Sequence, residues 1–473
     1  MAGYGNVIHW FRRDLRLSDN TALLQATRDS EMVTPVFISS EWSGQHHWTG
    51  PARQAFLCGC LESLSKNINH VGGRLIFRRG DAVEQLEGLI DESRAEAVYC
   101  NRDVDPHGKE VEKEVRELCR RKGIEYHDFQ DAILHEKDEV LTNSGNPYKV
   151  YTPYSRTWFD QEKSGVQGTV KSISTPEAIQ EGSAPKASDW GLAYDKELLR
   201  EPGEKAARKR LQQAVDGVLS SYEEKRNDPS ADATSHLGAD LRYGTISVRE
   251  VFHRAEEARQ RGETEAARGS IHTFQKQLGW REFFMAILGH FPEVLETDFN
   301  PDWRGLEWDD PGREGRFESW KEGRTGFPIV DAGMRQLSET GYMHNRVRMI
   351  TAMFLTKDLH IHWREGEAHF IQHLLDGEIA NNNGGWQWSA GTGADAAPYF
   401  RIQNPWTQTD RYDKSGDYIK RWVPELENVD PKSFTRPPEG NRPLADDYVL
   451  PIVDHKAERE ETLRRFKDHK ENR

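Results

Sequence analysis

Short apolar runs alternate with longer amphipathic stretches through the first 130 residues. NVIHWF (6–11), TPVFIS (34–39), RLIF (74–77), EAVYC (96–100) and IEYHDF (124–129) have the length and the β-branched or aromatic content of strands. Helical stretches lie between them. One opens at Pro51, whose restricted φ suits a first helical turn, and one runs from Pro106 to Lys122. Strand and helix in alternation, with crossover-length spacers, predict a doubly wound parallel α/β sheet of five strands over residues 1–130. Ligands of such sheets bind beyond the carboxyl ends of the strands. Phe11, Arg12, Arg13 and Asp14 follow the first strand where a dinucleotide-binding glycine loop would stand, which argues against a conventional NAD domain.

The pattern changes after residue 130. Residues 131–203 are rich in Ser, Gly, Pro and Lys with little sustained periodicity, and read as an interdomain linker. Over 204–473 helical periods dominate, as in SVREVFHRAEEARQR, SIHTFQKQLGWREFFMAILGHF and NRVRMITAMFLTKDL. Gly262, Pro292, Gly341, Gly366 and Gly377 punctuate them, so an all-α second domain is expected. No repeat at a solenoid period is present.

Composition narrows the class. The chain of 473 residues carries 64 basic and 78 acidic side chains, a net charge of −14. A uniformly acidic surface repels phosphate, so this balance argues against a protein that coats nucleic acid without specificity. Locally the sign reverses. Residues 320–364 hold seven basic against four acidic side chains, and 396–424 hold five against three. A basic window beside Trp and Tyr fits either a nucleic-acid reader or a chance cluster on a solvated face. Nine of the 14 tryptophans lie in the last 204 residues. The four cysteines are too few and too irregularly spaced for a disulfide framework, which suits a reducing cytoplasm. No apolar run approaches a membrane span, and charges occupy the N-terminus where a signal peptide needs its apolar core. A cytoplasmic, unprocessed protein with no membrane contact is expected.

Three motifs carry candidate chemistry. The tract from Gly366 to Pro405 gathers Asp376, Glu378, three asparagines (381–383), a double glycine and two tryptophans into a short helix plus loop. Buried amides and carboxylates cost several kcal/mol without partners, so the tract reads as a ligand pocket rather than plain core. His369 and His373 are four apart on a helix, but Phe370 stands where a zinc protease needs Glu. No metal site is expected, and the pair reads as surface histidines. Thr234, Ser235 and Gly238 precede an apolar stretch, where hydroxyls and unsatisfied amides suit either a helix cap or a phosphate.

Taken in order, HWFRRDLRLSDNTAL, WREFF, GRTGFPIVDAGMRQL, GYMHNRVRMITAMFL and DGEIANNNGGWQWSAGTGADAAPYFRIQNP closely resemble the photolyase/cryptochrome family, over nearly the whole chain. The resemblance implies an N-terminal antenna domain and an all-α FAD-binding catalytic domain. It is strongest toward class I enzymes that repair cyclobutane pyrimidine dimers, which are light-driven carbon–carbon lyases. By family position, FAD would be held by Tyr222, Thr234, Ser235, His236, Leu237 and Gly238, with Asp376, Gly377 and Glu378 at the rings and Asn382 facing flavin N5. His236, Gly238 and Glu378 depart from the usual residues. Trp386, Trp363 and Trp308 match the electron-transfer triad, ordered from flavin to surface. Trp280 and Trp388 match the pair that flanks a flipped-out dimer, with Gln277, Asn345 and Met349 lining the same pocket.

These pocket positions separate subfamilies. Enzymes acting on six-four photoproducts carry His where Asn345 and Met349 stand, so cyclobutane dimers are the expected substrate. Gln277 replaces a more usual Glu and cannot supply a proton. Arg226, Gln277, Trp280, Arg281, Asn345, Arg346 and Gln408 are the implied DNA contacts. Asn101 and Asp105 are implied at the antenna, either methenyltetrahydrofolate or a deazaflavin. The expected partner is DNA containing pyrimidine dimers, met by a monomer. A cryptochrome photoreceptor without repair activity is the alternative.

Overall fold

Five strands form one parallel sheet in the computed structural model, which describes residues 3–41 and 48–472. They are β1 (Tyr4–Phe11), β2 (Ser30–Ser39), β3 (Ile76–Arg79), β4 (Ala97–Asn101) and β5 (Glu125–Phe129), in the order β3-β2-β1-β4-β5. Each expected strand is present. β1 is central, with Trp10 opposite Val36 on one side and Cys100 on the other. Val7, Ile8 and Phe11 are fully buried, which is why β1 reads as a continuous apolar run rather than an alternation. Helices Pro51–His70 and Pro106–Lys122 begin with proline as expected.

The sheet belongs to the first of two compact units, formed by Met1–Ser221 with Ser235–His290. The stretch 131–203 is packed within it. It contains the helix Tyr151–Asp160, and Trp158, Ile173, Ile179 and Trp190 are buried. Its backbone bonds to the sheet at Val33 to Ser174 (2.8 Å) and Phe77 to Glu181 (2.6 Å). The loop after β1 docks on Gly244, whose φ of +63° no β-carbon would tolerate here, because that carbon would collide with the Arg13 carbonyl. Buried Arg16 and Arg249 both reach Asp131 (2.7 and 2.8 Å), and Arg249 also holds Asp19. The RLSD run is thus a structural clamp.

The second unit, Tyr222–Thr234 with Phe291–Arg473, is helical. Its core is aromatic: Trp320, Phe327, Phe354, Trp363, Phe370 and Trp406 are all buried. Helix Asn345–Met353 runs into a π-helical turn at Phe354–Asp358. The Asn-Gly-Gly tract, expected as a short helix plus loop, is a 12-residue helix, Ile379–Ala390. Packing overrides its poor propensity, since buried Asn383 and Gln387 bond to the Val294 carbonyl (3.0 and 2.9 Å). Among the described residues no helix is long and apolar enough to cross a membrane.

Candidate active site

Two histidines set the start of the helices that carry Asn345 and Trp363. His344 Nδ1 accepts from the Arg346 amide (3.2 Å) and His362 Nδ1 from the Arg364 amide (3.1 Å), each taking up an amide left unbonded by the first turn. Asn345 is exposed at the first helical position. Arg346 follows, donating to Asn227 (2.7 Å) and Met349 Sδ (3.5 Å) while its guanidinium lies over Tyr412, 4.5 Å from the ring centre. Gln408 is one turn before Tyr412 on helix Pro405–Tyr412.

Arg346 has an unusually low proton affinity for an arginine. Burial is the main cause, Tyr412 opposes it, and the charges of Arg226, Arg411 and Arg401 reinforce it. Its Nε is buried without a hydrogen-bond partner among the described residues. Four arginines thus share a field that an anion would relieve. The basic window that the charge count located is therefore narrower than the count. Lys357 is buried, donates to the Ala390 carbonyl (2.6 Å) and is pushed down to about 7 by burial. Arg335 and Arg364 are spent on Glu425 and Glu296. Arg401 and Arg411 were counted in that window but not singled out as site residues.

Asp376 receives both nitrogen-to-oxygen contacts of Arg348 Nη2 (2.9 and 3.1 Å). Gly377 and Glu378 are buried beside it, and Glu378 stands immediately before helix Ile379–Ala390 without capping it through its side chain. Asn382 donates its amide to the Glu367 carbonyl (3.0 Å), which leaves Oδ1 as an acceptor. One turn further on, a β-carbon at Gly385 would meet no atom within 4 Å. An amide acceptor beside an open helix face fits a flavin ring edge that carries an N–H. Buried Tyr222, under the Arg226 guanidinium (5.8 Å), and half-buried Thr234 lie in the same unit.

Trp386 and Trp363 are both buried, and Trp308 is half-buried. Trp386 packs on Phe370 (4.9 Å) and lies against Gly366, one turn along the helix from Trp363. His362 sits between the other two, 5.3 Å from Trp363 and 5.2 Å from Trp308. Trp388 is half-buried on helix Ile379–Ala390. His369 is half-buried rather than fully exposed. Its ring packs against Trp320 (5.5 Å) and His373 (4.2 Å), and burial pushes it down to about 2.

In the first unit, Trp280 stacks on Tyr151, with centroids 3.7 Å apart and planes 13° from parallel. The Tyr151 hydroxyl donates to the Lys276 carbonyl (2.6 Å). Sequence reasoning missed Tyr151, because the stretch around it showed no helical period. Gln277 donates to the Thr273 carbonyl (3.2 Å), and Arg281 ties the Ala132 carbonyl to its helix (2.8 Å). His236 adopts φ +53°, a left-handed turn between Ser235 and the buried Leu237 that precedes Gly238.

At the carboxyl ends of β1 and β4, Asn101 is fully engaged. It donates to Asp14 (2.7 Å) and Asn20 (2.8 Å) and accepts from the Ala22 amide (3.1 Å). Asp105 holds Arg13 (3.0 Å). Asp103 is buried, which would raise its pKa, but Arg12 and Arg13 outweigh burial and hold it below the usual carboxylate range.

Comparison with known proteins follows the same division. Residues 7–176 match the family described as DNA photolyase, and residues 274–468 match the FAD binding domain of DNA photolyase. The chain belongs to the DNA photolyase family and carries its FAD-binding domain. It is 40% identical to the deoxyribodipyrimidine photo-lyase of Synechococcus sp., over 95% of this chain and 94% of that one. A bacterial class III photolyase from Agrobacterium tumefaciens superposes with a TM-score of 0.91 at 39% identity, covering 100% of this chain and 99% of that one. A Synechocystis cryptochrome superposes at 0.88 with 26% identity, covering 98% and 99%. The class I likeness expected from the motifs is not what the class III neighbour represents.

Proposed function

We infer that this chain is a light-driven deoxyribodipyrimidine photo-lyase that repairs cyclobutane pyrimidine dimers in DNA. The observation that carries this reading is the 40% identity, over nearly the full length of both chains, to an enzyme of that name. Likeness to the cryptochrome is lower in identity, at 26%. Reduced FAD, when bound, supplies the electron that opens a cyclobutane ring and takes it back.

The chain's own residues do the rest. The nitrogen of Asn382 is held by the Glu367 carbonyl, so its Oδ1 would be free to accept from the N–H of a reduced flavin, which would favour the reduced cofactor. Tyr222, Thr234, Ser235, His236, Leu237 and Gly238 would hold the rest of FAD, with Asp376, Gly377 and Glu378 at its rings. Trp280 presents an indole whose plane is set by Tyr151 and would stack on an extruded dimer, as would Trp388. Gln277, Asn345 and Met349 would each contact the dimer. Gln277 donates a hydrogen bond but no proton, which a ring opening by electron transfer does not need.

Arg346, with Arg226, Arg401 and Arg411, receives backbone phosphates, whose charge relieves the mutual repulsion of the cluster. Gln408 and Arg281 complete the implied DNA contacts. Asn101 and Asp105 act at the antenna by holding the loops after β1 and β4, where a folate or deazaflavin would bind. The protein works as a monomer in the cytoplasm. Illumination of the reduced protein with a dimer-containing oligonucleotide tests the reading. Light-dependent loss of dimers is expected, and none would favour a photoreceptor.

A further inference from the structure

The indole N–H of Trp363 donates to Asp298 Oδ1 (2.8 Å), and both residues are buried. Among the described residues, neither Trp386 nor Trp308 makes such a bond to a carboxylate. Trp363 opens its helix, and its ring is bracketed by His362, whose proton affinity is lowered by burial and, to a lesser degree, by Arg364, and partly restored by Asp298. His362 Nδ1 already accepts from the Arg364 amide. The nearby charges Arg364 and Glu296 neutralise each other at 2.8 Å. Asp298 is therefore the carboxylate placed to act on the indole, and it acts on only one member of the proposed relay.

We propose that Asp298 is a positioning residue for electron flow, making Trp363 the most easily oxidised of the two buried tryptophans and drawing positive charge from Trp386 to Trp363. This rests on the reading of Trp386, Trp363 and Trp308 as a relay. With FAD bound, the excited oxidised flavin would supply the oxidant, and one electron would leave Trp386. Trp363 gives one electron to Trp386 and restores it. The positive charge now on Trp363 lies against a carboxylate in a low-dielectric interior, where a single opposite charge has its greatest effect. The indole proton stays shared along the N–H···O bond while the charge is present. One electron from Trp308 then restores Trp363, so the net change is one electron lost by Trp308. Without the carboxylate, charge on Trp363 is no better placed than on Trp386, and return to the flavin competes.

Asp298→Asn keeps an acceptor oxygen for the indole and removes the charge. Photoreduction of the oxidised flavin should fall by about tenfold, and the transient tryptophan-radical absorption should decay faster. Asp298→Glu should restore both. Repair by chemically reduced protein should stay at the parent level in both variants, since it does not need the relay. Parent-level photoreduction and radical lifetime in Asp298→Asn, with Trp363→Phe impaired, would overturn the role of Asp298 alone. Unimpaired photoreduction in Trp363→Phe would overturn the relay and this proposal together.

Discussion

The Arg346 guanidinium lies over the Tyr412 ring at 4.5 Å, with Arg411 on the same ring at 5.2 Å. Two like charges converge on one aromatic ring, whose negative π-surface attracts both. Replacing Arg346 by Ala should weaken binding to any DNA and lower the salt-dependence slope by about 1, the signature of one lost phosphate contact. Arg346→Lys should keep the slope and lose affinity, because an ammonium cannot stack as a plane. Titration of duplex binding across salt concentrations measures both.

Tyr151 is the backing for Trp280. Tyr151→Phe removes one hydrogen bond to the Lys276 carbonyl and should cost about 1 kcal/mol. Tyr151→Ala removes the stacked ring and should cost about 3 kcal/mol or more. Because Trp280 is then free to turn, discrimination between dimer-containing and intact DNA should fall in Tyr151→Ala beyond the loss of stability. Denaturant unfolding and paired binding assays separate the two effects.

Gly366 leaves room for Trp386, since a β-carbon there would overlap the edge of its six-membered ring. Gly366→Ala should cost about 1–3 kcal/mol by overpacking and tilt the indole. The flavin absorption band should shift, and photoreduction should slow. An unchanged spectrum and an unchanged melting temperature would show that the ring can give way.

Buried Glu367 is pushed up to about 7 from the ordinary 4.5, chiefly by burial, with its bond to Asn383 and the charge of Arg364 opposing the rise. The folded protein therefore keeps a proton between pH 4.5 and 7 that the unfolded chain has released. Stability falls as pH rises through that window, and the loss persists above it. Glu367→Gln keeps an acceptor for Asn383 and removes the titration. The variant should match the parent near pH ~4 and exceed it by up to about 3 kcal/mol near pH ~8. Chemical unfolding followed across pH checks the sign as well as the size.

Much of this architecture is legible in the chain. β1, β2 and β4 are largely apolar runs between helices, the pattern of buried parallel strands, whereas the edge strands β3 and β5 mix apolar with charged residues and are only partly buried. The helix Tyr151–Asp160 is not legible, because YTPYSRTWFD owes its helicity to contacts made by Tyr151, Tyr154 and Trp158 rather than to a polar face. The Asn-Gly-Gly helix fails in the same way, since its amides are satisfied by Val294 and Glu367, far away in sequence.

The order of residue types by itself determined the fold class, the family and the sign of the local charge near Arg346, because periodicity and long ordered motifs are properties of the chain. Tertiary structure decided which charges are available. Lys357 and Arg335 count equally with Arg346 in any composition, yet one is buried under Phe466, one is paired with Glu425, and one faces three other arginines. It alone also placed Asp298 on Trp363. The Asp298–Trp363 and Arg335–Glu425 pairings join residues 65 and 90 positions apart, and their energies depend on burial and distance, neither of which is written in the order of the residues.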